Sequence, residues 1–195
     1  MNAHNTFDTP DAVVPQEFSD FKPGNAGLEV TLPPMSVVVL ELEGTVELSP
    51  GIELKNPKPG VTYDYYEGNW ERLPVFDTLS PKRSSVIEQF VLPQNNSGED
   101  FAVQYRGYIK VPADGLYTFS LISDDGADLS IDRSLVVDND GRHAAQEQSG
   151  TVVLRAGFHE IHVRFFQASG GKTLDARVEG PGLTKQIIPT EMLFH

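Results

Sequence analysis

Residues 121–132 read LISDDGADLSID: adjacent carboxylates at Asp124 and Asp125, a glycine at Gly126, and a third acid at Asp128. The apolar residues before them alternate as in a strand, so the acids stand at a strand exit. Neighbouring residues on an extended chain point to opposite faces. The two aspartates therefore converge only where the backbone bends sharply, for example through a cis peptide. Converged, they suit Ca²⁺, a hard cation that collects carboxylate and carbonyl oxygens, and Gly126 would relieve crowding behind the bend. The competing reading is that both acids accept backbone N–H groups and tie off the loop. Residue types and spacing leave both readings open.

Other chemistry-bearing residues are fewer. FFQASGGKTLD carries Gln167 and the Gly170–Gly171 pair after a strand, a flexible polar loop that meets the acid pair if their strands are neighbours. DNDG, Asp138 to Gly141, resembles part of an EF-hand loop. Setting Gly141 at that loop's glycine puts Val136 at the first ligand position, so a hairpin turn with side-chain caps is expected instead. Of the histidines His4, His143, His159, His162 and His195, the HEIH pair falls on opposite faces of a strand. Packing or surface roles are expected for all but His143, which lies in the polar loop DNDGRHAAQEQSG. The aromatics Tyr63, Tyr65, Tyr66, Trp70 and Phe76 can stack on sugar rings, but core packing is the expected role. No HExxH, GxSxG, P-loop or GxGxxG motif occurs, and no separated carboxylate pair stands in a recognisable catalytic setting.

These residues need a scaffold, and the chain supplies short strands. FAVQYRGYIKV, LYTFSLIS, DLSID, SLVVD, TVVLR, EIHVRFFQ and LDARVEG are β-branched and aromatic runs separated by turn signals such as Asp114-Gly115 and Gly170-Gly171. In the sixth run Ile161, Val163 and Phe165 share one face, and Glu160, His162 and Arg164 the other. SSVIEQFVL suits a short helical turn or a strand. The pattern predicts an all-β fold, a sandwich or a barrel. Upstream, residues 1–24 look irregular. Leu28–Leu32 and Val37–Leu42 read as two strands around Pro33-Pro34, a β-hairpin appendage that must dock on something else. LSPGIELKNPKPGV reads as a linker.

Composition narrows the classes. The chain has 195 residues and a formal net charge of -13, which argues against nucleic acid and anionic membranes as partners. The absence of cysteine removes thiol catalysis, disulfides and thiolate metal sites. The N-terminus lacks a signal-peptide pattern, and no apolar run approaches membrane-spanning length.

The order of markers is more specific: Gly-Tyr-x-x-Val-Pro-x-Asp-Gly-x-Tyr-x-Phe ending at Phe119, then Asp-Asp-Gly, Asp-Asn-Asp-Gly and Ala-Gly-x-His. From about residue 57 to 195 the chain resembles the protective-antigen-type module, the fourteen-kilodalton β-sandwich domain of toxins, glycosidases and flocculin-type adhesins. The resemblance implies an all-β, antiparallel sandwich of jelly-roll type, and carbohydrate binding. In the adhesin branch the paired aspartates are joined by a cis peptide and hold Ca²⁺, which grips sugar hydroxyls. Asp124 and Asp125 match that pair, and Gln167 stands where an asparagine ligand is expected. The implied metal set is Asp124, Asp125 and Gln167. The implied sugar site has Asp124, Asp125 and Gly126 as its floor, with Arg142, His143, Gln167, Ser169, Gly170, Gly171 and Lys172 as its walls.

HNTFDTPDAVVPQEFSDFK with LEVTLPPMSVVVLELEG is similar to the last strands of an α-L-arabinofuranosidase. The expected organisation is thus residues 1–46 as a remnant of a glycosidase sandwich, 47–60 as linker and 61–195 as the carbohydrate-binding domain. The resemblance implies a non-catalytic module on a secreted glycoside hydrolase, located outside the cell, at its surface or in the periplasm. Its expected partners are a polysaccharide, the neighbouring glycosidase domain and, through the N-terminal strands, a second copy of the chain. The alternatives are a structural module that shapes a neighbouring catalytic domain without a ligand of its own, and a chain that itself cleaves arabinofuranosides.

Overall fold

The structure, a computed structural model, describes residues 8, 17–24, 27–32, 47–93 and 100–195. The chain forms two compact units, Met1–Thr45 and Val46–His195. In the first, strands β1 (Phe21–Gly24) and β2 (Gly27–Val30) pair antiparallel, with Phe21 opposite Val30. The expected strand at Leu28–Leu32 is therefore present in part as β2. Its partner comes from upstream, from a stretch whose proline and glycine suggested irregular chain. The same residue types also close hairpins. Val37–Leu42 lies outside the described residues.

The second unit is an all-β sandwich of two antiparallel sheets. Its strands are β3 (Val61–Glu67), β4 (Arg83–Ile87), β5 (Phe101–Val111), β6 (Gly115–Asp124), β7 (Ala127–Ile131), β8 (Ser134–Asn139), β9 (Gln146–Leu154), β10 (Gly157–Gln167), β11 (Thr173–Gly180), β12 (Leu183–Ile187) and β13 (Leu193–Phe194). The large sheet runs β4-β3-β5-β10-β7-β8, with β13 added beside β5, and the small sheet runs β12-β11-β6-β9.

Alternation along the strands builds the core. On β10, Ile161, Val163 and Phe165 face inward with no solvent exposure, while Glu160, His162 and Arg164 face out. On β5, Phe101, Val103, Tyr105 and Ile109 do the same. Phe119 and Leu121 of β6 close the other side. Each large apolar side chain so buried contributes about 1.5–3 kcal/mol, which lets the sandwich fold without disulfides. Buried tyrosines satisfy their hydroxyls: Tyr105 donates to the Val91 carbonyl at 2.8 Å and Tyr117 to that of Ala113 at 2.7 Å.

SSVIEQFVL resolves to the strand alternative in its first part, where Ser84 to Ile87 lie in β4, an edge strand. One local reading changes. DNDG keeps its expected side-chain cap, since Asp138 Oδ1 accepts the Asp140 N–H at 3.1 Å. It is not a hairpin turn, because β8 belongs to the large sheet and β9 to the small one, and the loop crosses between them. Spacing alone does not say which sheet the next strand joins. The true two-residue hairpin, β7 to β8, turns on Asp132 and Arg133, both at positive φ (48° and 67°). Asp132 is held there by its side chain, which accepts from Ser49 Oγ at 2.6 Å and from the Glu160 N–H at 3.0 Å, and contacts His159 Nδ1 at 2.7 Å.

Residues 47–60 lie along the sandwich. Ser49 exchanges backbone hydrogen bonds with Val153 and Arg155, Ile52 bonds to Phe158, and Lys58 pairs with His195.

Candidate functional site

The end of the sandwich where β6 stops is built from strand termini. Asp124 lies opposite Thr173, and Phe101 opposite Gln167. Ala127 lies opposite both Phe165 and Asn139. The loops after β6, β8 and β10 therefore emerge together. The Asp124–Asp125 peptide is cis.

The two aspartates have different surroundings. Asp125 is buried, and its Oδ2 accepts the N–H groups of Ala168 and Ser169 at 2.8 and 3.2 Å. That fastens the β6–β7 turn to the loop after β10. Asp124 is partly exposed, and among the described residues its carboxylate takes no hydrogen bond or ion pair. It faces Gly171, where any added side chain would strike its oxygens. Asp125 thus ties off the loop, as one of the two readings expects, and Asp124 takes no part in that tie.

Gln167 completes this corner. Its Nε2 donates to the Gly171 carbonyl at 2.7 Å, which curls the loop back on itself. Its Oε1 is buried without a hydrogen-bond partner. A buried acceptor left without a partner is costly. Carboxylate and amide oxygens such as those of Asp124, Asp125 and Gln167 are of the hard donor type that Ca²⁺ takes. Among the described residues, no group of three or more His, Cys, Asp or Glu side chains gathers into a metal site.

The remaining expected wall residues are near but differently used. Gly126 packs so closely on the next loop that a Cβ there would stand 2.6 and 2.8 Å from the Gly141 nitrogen and oxygen. This contact brings Arg142 and His143 to the same end. Arg142 is turned to a third loop: it donates to Asn69 Oδ1 at 3.1 Å and pairs with Glu71 at 3.1 Å. The His143 ring lies between the Asn139 and Ala144 carbonyls, at 2.9 and 3.0 Å. Lys172 reaches the Pro93 carbonyl at 3.4 Å and lies over the Phe101 ring. Ser169, Gly170 and Gly171 are exposed, with Gly170 at φ +84°.

Tyr63, Tyr65, Tyr66 and Phe76 are buried, as their expected packing role requires, whereas Trp70 is only partly covered. The loop carrying Asn69 and Trp70 is a wall that sequence reading missed. Its tether is Asp140, which accepts the Leu73 N–H at 2.8 Å. The available signal was the acid-rich DNDG loop, whose carboxylates exceed what one turn needs.

Residues 57–191 match the PA14 domain. The chain belongs to the PA14 domain family. Among curated proteins it is 27% identical over 104 residues to the anti-sigma-I factor RsgI3 of Acetivibrio thermocellus, covering 52% of this chain and 16% of that protein. An anti-sigma factor domain-containing protein from Clostridium clariflavum shares the fold, with a TM-score of 0.59 and 23% identity over 70% of this chain and 47% of that one. So does the PA14 sugar-binding domain of an RTX adhesin, with a TM-score of 0.59 and 13% identity over 70% of this chain and 98% of that one. The PA14 chain thus spans less than half of the first two relatives and nearly the whole of the adhesin domain.

Proposed function

We propose that this PA14 domain is a non-catalytic carbohydrate-binding module whose site is the loop end around Asp124, Asp125 and Gln167. The carrying observation is a pair of oxygen groups at one loop end, the buried Gln167 Oε1 and the partly exposed Asp124 carboxylate, neither with a protein partner among the described residues. Both are oxygen acceptors that the described residues leave unused. Ca²⁺ would be held by the Asp124 carboxylate, the remaining oxygen of Asp125 and Gln167 Oε1. Bound there, it supplies a positive centre that accepts vicinal sugar hydroxyls. The chain's own part is to fix those oxygens. Asp125 pins the turn through Ala168 and Ser169, and Gly171 leaves the space that the Asp124 carboxylate needs. The sugar-binding RTX adhesin domain of the same fold supports this reading.

The expected setting is a polysaccharide-degrading glycoside hydrolase outside the cell, of α-L-arabinofuranosidase type, which the module holds near its substrate. The basis is the sequence of residues 1–46. The anti-sigma relatives carry the same fold in a different kind of protein, so the module's binding and its parent's activity are separate questions. Among the described residues no helix is long and apolar enough to cross a membrane.

A second reading has one observation in its favour. Asp125 is consumed by loop bonds, as a purely structural module would require. Glycan-array binding and calorimetry with arabinose-, galactose- and glucose-containing glycans, with and without chelator, separate the two. Chelator-sensitive binding that Asp124→Ala abolishes supports recognition. A folded protein that binds no glycan and no Ca²⁺ supports the structural module.

A further inference from the structure

The outer face of the large sheet carries a second concave feature, remote from the acid pair in its chemistry. Register aligns two rows of polar side chains across the strands. One row runs Asp64, Gln104, Arg164, Asp128, and the next runs Arg106, His162, Ser130. The segment around Phe76–Thr78 (a 3₁₀ turn) roofs part of this face, anchored by buried Phe76 and by the Leu73–Asp140 bond. Between roof and sheet lies a cleft of about 680 Å³, within the range of small-molecule sites.

The carboxylates of the floor are used up. Both Asp128 oxygens are taken by Arg164, and Asp64 accepts from Arg106, Ser84 and Gln104. Donors remain: Arg106 and Arg164 have N–H groups beyond those pairs, and Arg133 at the rim is 86% exposed. Acceptors remain too. His162 donates through Nε2 to Gln104 Oε1 at 3.2 Å, which leaves Nδ1 free to accept. Glu160 and Asp138 also line the cleft.

The lining holds five carboxylates against three guanidiniums, an acidic balance that repels anions. Val75 and Leu135, 69% and 55% exposed, offer apolar contact at the rim. Donors and acceptors interleaved on a preformed floor, with apolar edges and a negative field, match a neutral polyhydroxylated chain. Each hydroxyl of such a chain both donates and accepts.

We propose that this cleft is a second glycan site, taking a neutral oligosaccharide across the sheet face independently of the loop end. The test is a backbone-amide NMR titration with neutral glucose, galactose, xylose and arabinose oligosaccharides. It uses the wild-type chain, Asp124→Ala, and the cleft variants Arg133→Asn and Leu135→Glu. Both cleft positions are solvent-exposed, and asparagine tolerates the turn conformation of residue 133. The expected result is a neutral oligosaccharide that shifts residues 73–77, 133–135 and 160–164, unchanged in Asp124→Ala and weakened about tenfold in the folded cleft variants. No shift in these segments, shifts that vanish with Asp124→Ala, or engagement only by carboxylated sugars or acidic peptides overturns the proposal. Shifts at residues 124–126 and 167–171 are scored separately, so failure of one site does not count for or against the other.

Discussion

Asp125 Oδ2 accepts the Ala168 N–H at 2.8 Å, so the buried member of the acid pair ties two loops together. Its neighbour Asp124 keeps its carboxylate free of protein partners among the described residues. The division of labour has direct consequences for mutation.

Asp125→Ala strands two donors, the N–H groups of Ala168 and Ser169. Its expected cost in urea unfolding is about 1–3 kcal/mol. Asp124→Ala removes no fold-holding bond and should leave stability within about 0.5 kcal/mol, while glycan binding by calorimetry is lost. Equal destabilisation by both variants would contradict the division.

Ca²⁺ should raise the melting temperature of the wild-type chain, and chelator should reverse the gain. A ligand at a hundredfold excess over its dissociation constant adds about 2.7 kcal/mol to the folded state. Gln167→Leu removes the orphan Oε1, and the Nε2 bond to Gly171 with it. The variant should melt independently of Ca²⁺ in differential scanning calorimetry.

Two glycines can be told apart. Gly126→Ala drives a methyl into the Phe166 ring and the Gly141 backbone and should cost about 1–3 kcal/mol, because that backbone cannot yield cheaply. At Gly171 the nearest atoms to an added methyl are those of the Asp124 carboxylate, a side chain that can swing away. It should weaken glycan binding more than it lowers stability. Chemical denaturation and calorimetry on both variants provide the comparison.

His162 provides a pH signature. Burial, reinforced by the Arg164 and Arg106 charges, pushes its pKa down to about 4. The unfolded chain therefore takes up this proton near pH 6.5 and the folded chain only near 4. Folding stability should fall as pH drops through that window, by at most about 3 kcal/mol from this residue. His162→Gln should flatten the fall. Asp128 works the other way: burial raises its pKa despite Arg164, so its protonation favours the folded state at low pH. Urea midpoints at several pH values for wild type and His162→Gln measure the difference.

The contacts of residues 47–60 predict that the cooperative unit begins upstream of residue 57. Ser49→Ala should cost about 1 kcal/mol through loss of its bond to Asp132. A chain starting at residue 57 should be less stable than one starting at residue 46, as measured by thermal melting.

Much of this protein follows from local pattern. Strand alternation assigns Ile161, Val163 and Phe165 to the core, and the inner face of β10 is where they lie, because period two is a property of the backbone itself. The marker order that includes Asp124-Asp125-Gly126 places the chain in its family. What local pattern does not contain is pairing between distant strands. That β8 and β9 lie in different sheets turned an expected hairpin into a crossover, and set Gly141 against Gly126. Only the neighbouring of β6, β10 and β11 strand ends decides that Asp125 faces Ala168 while Asp124 faces Gly171. The cleft on the large sheet is likewise a matter of register. Arg106, His162, Arg164 and Asp128 are scattered along the chain and become one surface because hydrogen-bonded strands align them side by side.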